Sequence, residues 1–162
     1  MRESDITRNF AFATIIITAV ILHGSLYPYN FRVPLGPIGP FPALLETWNS
    51  PPTSFGDLVA NILLYIPFGL FGVLALKTSR KILAITVAGL LLCTTVELTQ
   101  FYDAGRVTNM SDVCLNTFGT WIGALCGGLV RSRSQSNVLN ALALRPVQSV
   151  LLIAMLGYRL FP

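Results

Sequence analysis

Charge is the scarcest commodity in this chain. Only 11% of its 162 residues are Asp, Glu, Lys or Arg, where a soluble domain carries about 25%. Hydrophobic residues make up 53%, and the mean hydropathy is +0.66. A water-soluble fold would have to bury nearly all of that surface, and a domain this small has too little interior. A soluble globular fold is therefore excluded. There is one histidine, His23, and no histidine or thiolate cluster of the kind that binds zinc. Cys93, Cys114 and Cys126 all fall in apolar runs without paired spacing, which excludes a disulfide framework and leaves buried packing residues as the expectation. Neither G-x-S-x-G nor H-E-x-x-H occurs. The first apolar run is followed by "HGSLYP" and not by a small-residue cleavage site, so it reads as an uncleaved signal anchor.

What the chain has is long apolar runs. Runs of about 20 such residues cross a bilayer as helices, and they predict spans near Phe10–Tyr27, Asp57–Leu76, Ile82–Phe101, Asp112–Val130 and Pro146–Phe161. The last is short and starts beside Arg145-Pro146, so a full crossing and a partly immersed helix both fit. The expected fold is an all-α membrane bundle of about five transmembrane helices, one domain over residues 1–162.

Basic residues orient it. With a cytoplasmic N-terminus, the inner segments hold Arg2, Arg8, Lys77, Arg80, Lys81, Arg131, Arg133 and Arg145, and the outer side keeps Arg32, Arg106 and Arg159. Topology and anionic headgroups account for the net charge of +4 without nucleic acid. The first outer segment carries Pro34, Pro37, Pro40, Pro42, Pro51 and Pro52, which excludes a regular helix through most of it. A short helix "PALLETW" opened by Pro42 fits there, with Trp48 as an interfacial anchor, and Tyr27, Tyr29 and Phe31 fit an aromatic belt.

Against this background the placement of the remaining charges is informative. "DLVANILLYIPFGLFGVL" and "DVCLNTFGTWIGALCGGL" align without gaps at Asp57/Asp112, Asn61/Asn116, Leu70/Leu125, Gly72/Gly127 and Leu74/Leu129. At i, i+4 each Asp and Asn share one helix face. Glu97 and Gln100 share a face near the outer end of the third predicted span. Asp57, Asn61, Glu97, Gln100, Asp112 and Asn116 can thus converge at one depth, with Arg106 above them and Asp103 as a less specific loop member. Helix capping accounts for the two aspartates equally well, and asparagines in spans also bind neighbouring helices. An acid within a span, such as Glu97, usually faces an aqueous cavity or a partner. Pro67 is expected to kink the second span and splay its outer half, admitting an acyl chain, while Gly119, Gly123, Gly127 and Gly128 suit close packing.

The elements D-x-x-x-N-x-x-x-Y-x-P-x-G from Asp57, E-x-x-Q-x-x-x-x-x-R from Glu97 and S-D-x-x-x-N-x-x-G-x-x-x-G from Ser111, preceded by "HGSLYPYNFR", resemble the VanZ-like family of bacterial membrane proteins over Leu22 to Val130. The resemblance implies a multi-pass protein of the bacterial plasma membrane. It also implies a theme of envelope chemistry and low-level teicoplanin resistance, without defining a reaction.

Two functions follow. In the first, the polar set is a cleft for a membrane lipid, a lipid-linked envelope molecule or a lipoglycopeptide. Asn and Gln would recognise sugar or amide groups, and Arg106 would pair with phosphate. In the second, the protein is an enzyme acting on such a lipid, with Glu97 as the best catalytic candidate (a general base) and Asp57 and Asp112 holding a divalent metal. Transport ranks last, because no polar path crosses the apolar inner halves.

Overall fold

The computed structural model describes residues 3–34, 36–50 and 54–133. Those residues form α1 (Glu3–Leu26), α2 (Pro40–Glu46), α3 (Phe55–Ala75), α4 (Lys81–Gln100) and α5 (Met110–Arg133). All but α2 are long and apolar enough to cross a membrane. The fifth predicted span, Pro146–Phe161, lies outside the described residues.

The helix limits follow local chemistry. Helix α1 starts well before Phe10 because Glu3 and Asp5 complement the helix dipole in its first turn. Ser54 caps α3, its Oγ accepting from the Asp57 N–H at 3.0 Å. The short α2 opens with proline in its first turn, where a missing N–H costs nothing, and it pushes Leu44 into the core. Between α4 and α5, Gly105 takes φ +96°, a turn conformation that side chains disfavour.

Helix α3 is the hub, packed against α1 on one side and α5 on the other, with α4 against α5. Its seam with α5 is made of glycines. A Cβ on Gly119 would collide with the Ile62 carbonyl, one on Gly123 with that of Ile66, and one on Gly127 with Val73 and the Leu70 carbonyl. From Gly119 to Gly127 the partner on α3 advances by four residues for every four on α5, so the helices run parallel and in step. Small residues let two membrane helices approach to backbone contact. Gly69 completes the seam from the α3 side against Thr120.

This seam corrects one expectation. Pro67 does not splay the outer half of α3 away from α5. The helix is continuous through it, and Ile62, before the proline, touches Gly119 as closely as later residues touch theirs. Gly128 stands apart from the seam, with Ile82 as its nearest neighbour. A second correction concerns the thiols. Cys93 is buried, bonded to Val113 and Thr117, but Cys114 and Cys126 are exposed on the outside of α5.

The two ends of the bundle differ. At one, Arg131 donates to the Leu74 and Leu76 carbonyls at 3.2 and 3.4 Å and lies 3.8 Å from Glu3, tying the ends of α3 and α5 to the start of α1. This basic end also holds Lys77, Arg80 and Lys81. The opposite end holds the polar cluster.

Candidate functional site

Four elements meet at the polar end. Helix α3 presents Asp57, Asn61 and Tyr65 on successive turns of one face, because they are spaced i, i+4, i+8. Helix α5 presents Asp112 and Asn116 in the same way. The Asn61 amide donates to Asp112 Oδ1 at 2.8 Å, bridging the two copies of the D-x-x-x-N element crosswise. Asp57 instead faces its own helix start and accepts from the Ser54 hydroxyl at 2.8 Å, though it remains within electrostatic reach of Asp112.

Glu97 of α4 is only 2% exposed. Its carboxylate accepts the Asn109 backbone N–H at 2.8 Å, which pins the entry of α5 to the end of α4. The Thr108 hydroxyl lies beside it but outside hydrogen-bonding geometry. Gln100, one turn further, turns toward α1 and donates to the Ser25 carbonyl at 2.8 Å. The sequence spacing places Glu97 and Gln100 on one side, yet they serve different neighbours.

A cap lies over this layer. The chain after α1 runs against the α4–α5 loop, with a bridge pairing Phe31 and Asp103. Arg32 N donates to the Tyr102 carbonyl at 2.7 Å and Ala104 N to that of Asn30 at 2.9 Å. Arg106 is exposed, and its guanidinium donates to the Tyr27 carbonyl at 3.4 Å. Among the described residues no ion pair joins Arg106 to Glu97, so the cation sits at the rim within electrostatic range and does not neutralise the acid directly. Asp103, the less specific loop member of the predicted set, is 3% exposed beneath the cap.

The distinguishing property of this end is unmet hydrogen-bonding capacity. Among the described residues, buried atoms without a partner are the Tyr65 hydroxyl, Asn116 Oδ1, the Thr108 hydroxyl and both carboxylate oxygens of Asp103. Leaving one such group unpaired costs about 1–3 kcal/mol. Tyr65 is fully buried and within electrostatic reach of both Glu97 and Asp112, so the acids share one environment with it. Apart from the Thr108 and Tyr65 hydroxyls, the unpaired atoms are pure acceptors, which suits a ligand rich in hydroxyl, amide or ammonium donors. Among the described residues no three His, Cys, Asp or Glu side chains lie close enough to share a metal ion.

Sequence reasoning missed Tyr65 as a site residue although its spacing from Asp57 and Asn61 is regular. It also missed Thr108 and Asn109, whose roles come from a loop path that no periodicity encodes.

Four long apolar helices around a buried polar end define a polytopic helical membrane protein. The VanZ/LLP1 family model matches residues 10–131, most of the chain, and the protein belongs to that family. No curated protein and no solved structure matches it.

Proposed function

We propose that the protein works in the bacterial plasma membrane as an envelope-binding protein. Its polar end faces outward and takes the head of a lipid-linked envelope molecule or of a lipoglycopeptide such as teicoplanin. The observation that carries this reading is the unmet hydrogen-bonding capacity buried at this end, with the Tyr65 hydroxyl within electrostatic reach of Glu97 and Asp112 and the Thr108 hydroxyl beside Glu97. Elsewhere among the described residues the buried side-chain polar atoms have partners, so unpaired polar groups kept at this cost at one end are best accounted for by a partner outside the chain. The bias of basic residues toward the opposite end favours the outward orientation. Sugar hydroxyls and peptide amides of an envelope precursor would meet Asn116 Oδ1 and the acids, and exposed Arg106 at the rim would pair with a phosphate.

The test is to purify the protein in native lipid and identify co-purifying species by mass spectrometry. A glycan- or peptide-bearing lipid, or added lipoglycopeptide, should be retained by wild type and lost in Glu97→Gln and Arg106→Ala. In cells the same variants should lose protection against teicoplanin at normal membrane abundance. Equal recovery of that species from wild type and Glu97→Gln would refute the assignment.

A further inference from the structure

Beside the polar end lies an apolar hollow. It is a groove of about 510 Å³ between α4 and α5 on the bundle's outer surface, with Trp48 at one end and Trp121 at the other. We infer that this groove seats the hydrocarbon tail of the lipid whose head reaches the polar end, a reading that rests on the function proposed above.

The chemistry of the walls selects the occupant. Met110, Val113, Leu90 and Phe118 offer only apolar surface. Thr86 and Thr117 do reach the groove, but their hydroxyls are spent on their own helices, donating to the Ile82 and Val113 carbonyls at 2.8 and 2.7 Å. The Phe118 and Trp121 rings stack at 5.9 Å and wall off the deep end. An occupant there finds no polar group to satisfy, and both wall helices are membrane spans, so the groove opens onto lipid tails.

Its length also fits. Met110 to Trp121 covers about 16 Å at the helical rise, close to one leaflet of a roughly 30 Å hydrocarbon core. A single chain from the outer leaflet, and not a transmembrane partner, matches that depth. The upper end is continuous with the polar layer. Met110 directly follows Asn109, whose N–H holds Glu97, and its own N–H donates to the Thr47 hydroxyl at 2.9 Å. A smaller hollow of about 360 Å³ adds Ser111 at that level. Trp48, 67% exposed, therefore stands where head and tail of one bound molecule would diverge. The route for a tail is thus the α4–α5 face and not a splayed α3.

The probe is phosphatidylglycerol carrying a diazirine on one acyl chain, incorporated into nanodiscs with the full-length protein. Photolabelling should concentrate on Cys114, Thr117, Phe118 and Trp121. It should fall about tenfold there, the change given by 1.4 kcal/mol of binding, when Cys114→Trp fills the groove. Labels spread as evenly over the lipid-facing Phe12 and Ile15 of α1 as over the groove would overturn the inference. That map comes from wild type, so it stands even if Cys114→Trp fails to fold. Groove labelling that survives in Glu97→Gln, while the co-purifying head-bearing species is lost, supports the tail site independently of the head site. Uniform labelling with Glu97-dependent capture intact would remove the tail site alone.

Discussion

The α3–α5 seam and the polar end are built from the same two helices and obey opposite rules. Along the seam every close approach is answered, with glycine on one side and a backbone carbonyl or aliphatic side chain on the other. At the polar end, one turn beyond, buried groups are left without partners. A membrane bundle gains its stability from packing, because lipid tails are as apolar as leucine and water exerts no drive between helices. The seam is therefore where the fold is held, and the polar end is where unpaired buried groups cost stability.

The sharpest way to break the comparison is to attack the seam. Gly123→Leu would drive its side chain into the Ile66 carbonyl and Leu70 amide, backbone atoms that cannot step aside. Such overpacking should destabilise by about 3 kcal/mol, read as loss of membrane abundance and of thermal stability in detergent. A Gly123→Leu protein that melts like wild type would show that α3 and α5 do not meet as described.

At the other end, Asp112→Ala removes the acceptor for the Asn61 amide. An abandoned partly buried donor costs about 1–3 kcal/mol, so thermal unfolding should register a smaller loss than at Gly123. Ligand capture, in contrast, should vanish. Were Asp112→Ala to retain the co-purifying species, the crosswise Asn61–Asp112 bond would be only a helix clamp.

How much of this was readable in advance depends on range. The membrane helices were legible because span length and apolar content are local properties; α4, for example, runs Lys81–Gln100 against an expected Ile82–Phe101. The D-x-x-x-N faces were legible because i, i+4 spacing fixes a face whatever the partner. What the pattern leaves open is which neighbour each face meets. Gln100 went to Ser25, seventy-five residues away, and Asp103 was buried by pairing with Phe31. The first depends on how α1 packs beside α4, the second on how the segment after α1 returns over the α4–α5 loop, and both are long-range matters without a period. Asn61 and Asn116 illustrate the limit from within a repeat: equivalent in sequence, one is bonded and the other keeps an unpaired oxygen.

A smaller effect separates capping from the cluster. Ser54→Ala deletes the cap of α3 and should lower stability by about 1 kcal/mol. Among the described residues Ser54 bonds to Asp57 and to its own helix start, so capture of the co-purifying species should persist. Loss of capture would mean that Asp57, once released, is a working part of the head site and not chiefly a helix-end charge.

The smallest change in stability is the most informative. Tyr65 is fully buried, and its hydroxyl has no partner among the described residues. Tyr65→Phe keeps the ring, and with it the packing in the core, while deleting an oxygen that only penalises the folded chain. If the hydroxyl were a packing residue's idle appendage, its removal would be silent in every assay. If it serves the ligand, the melting temperature should stay level or rise, by up to about 1 kcal/mol in stability terms, while retention of the co-purifying molecule falls. Opposite movements of stability and capture from one deleted atom are what a group held unpaired for a ligand requires. A destabilised Tyr65→Phe protein would instead reveal a bond within the chain and move Tyr65 to the side of the seam.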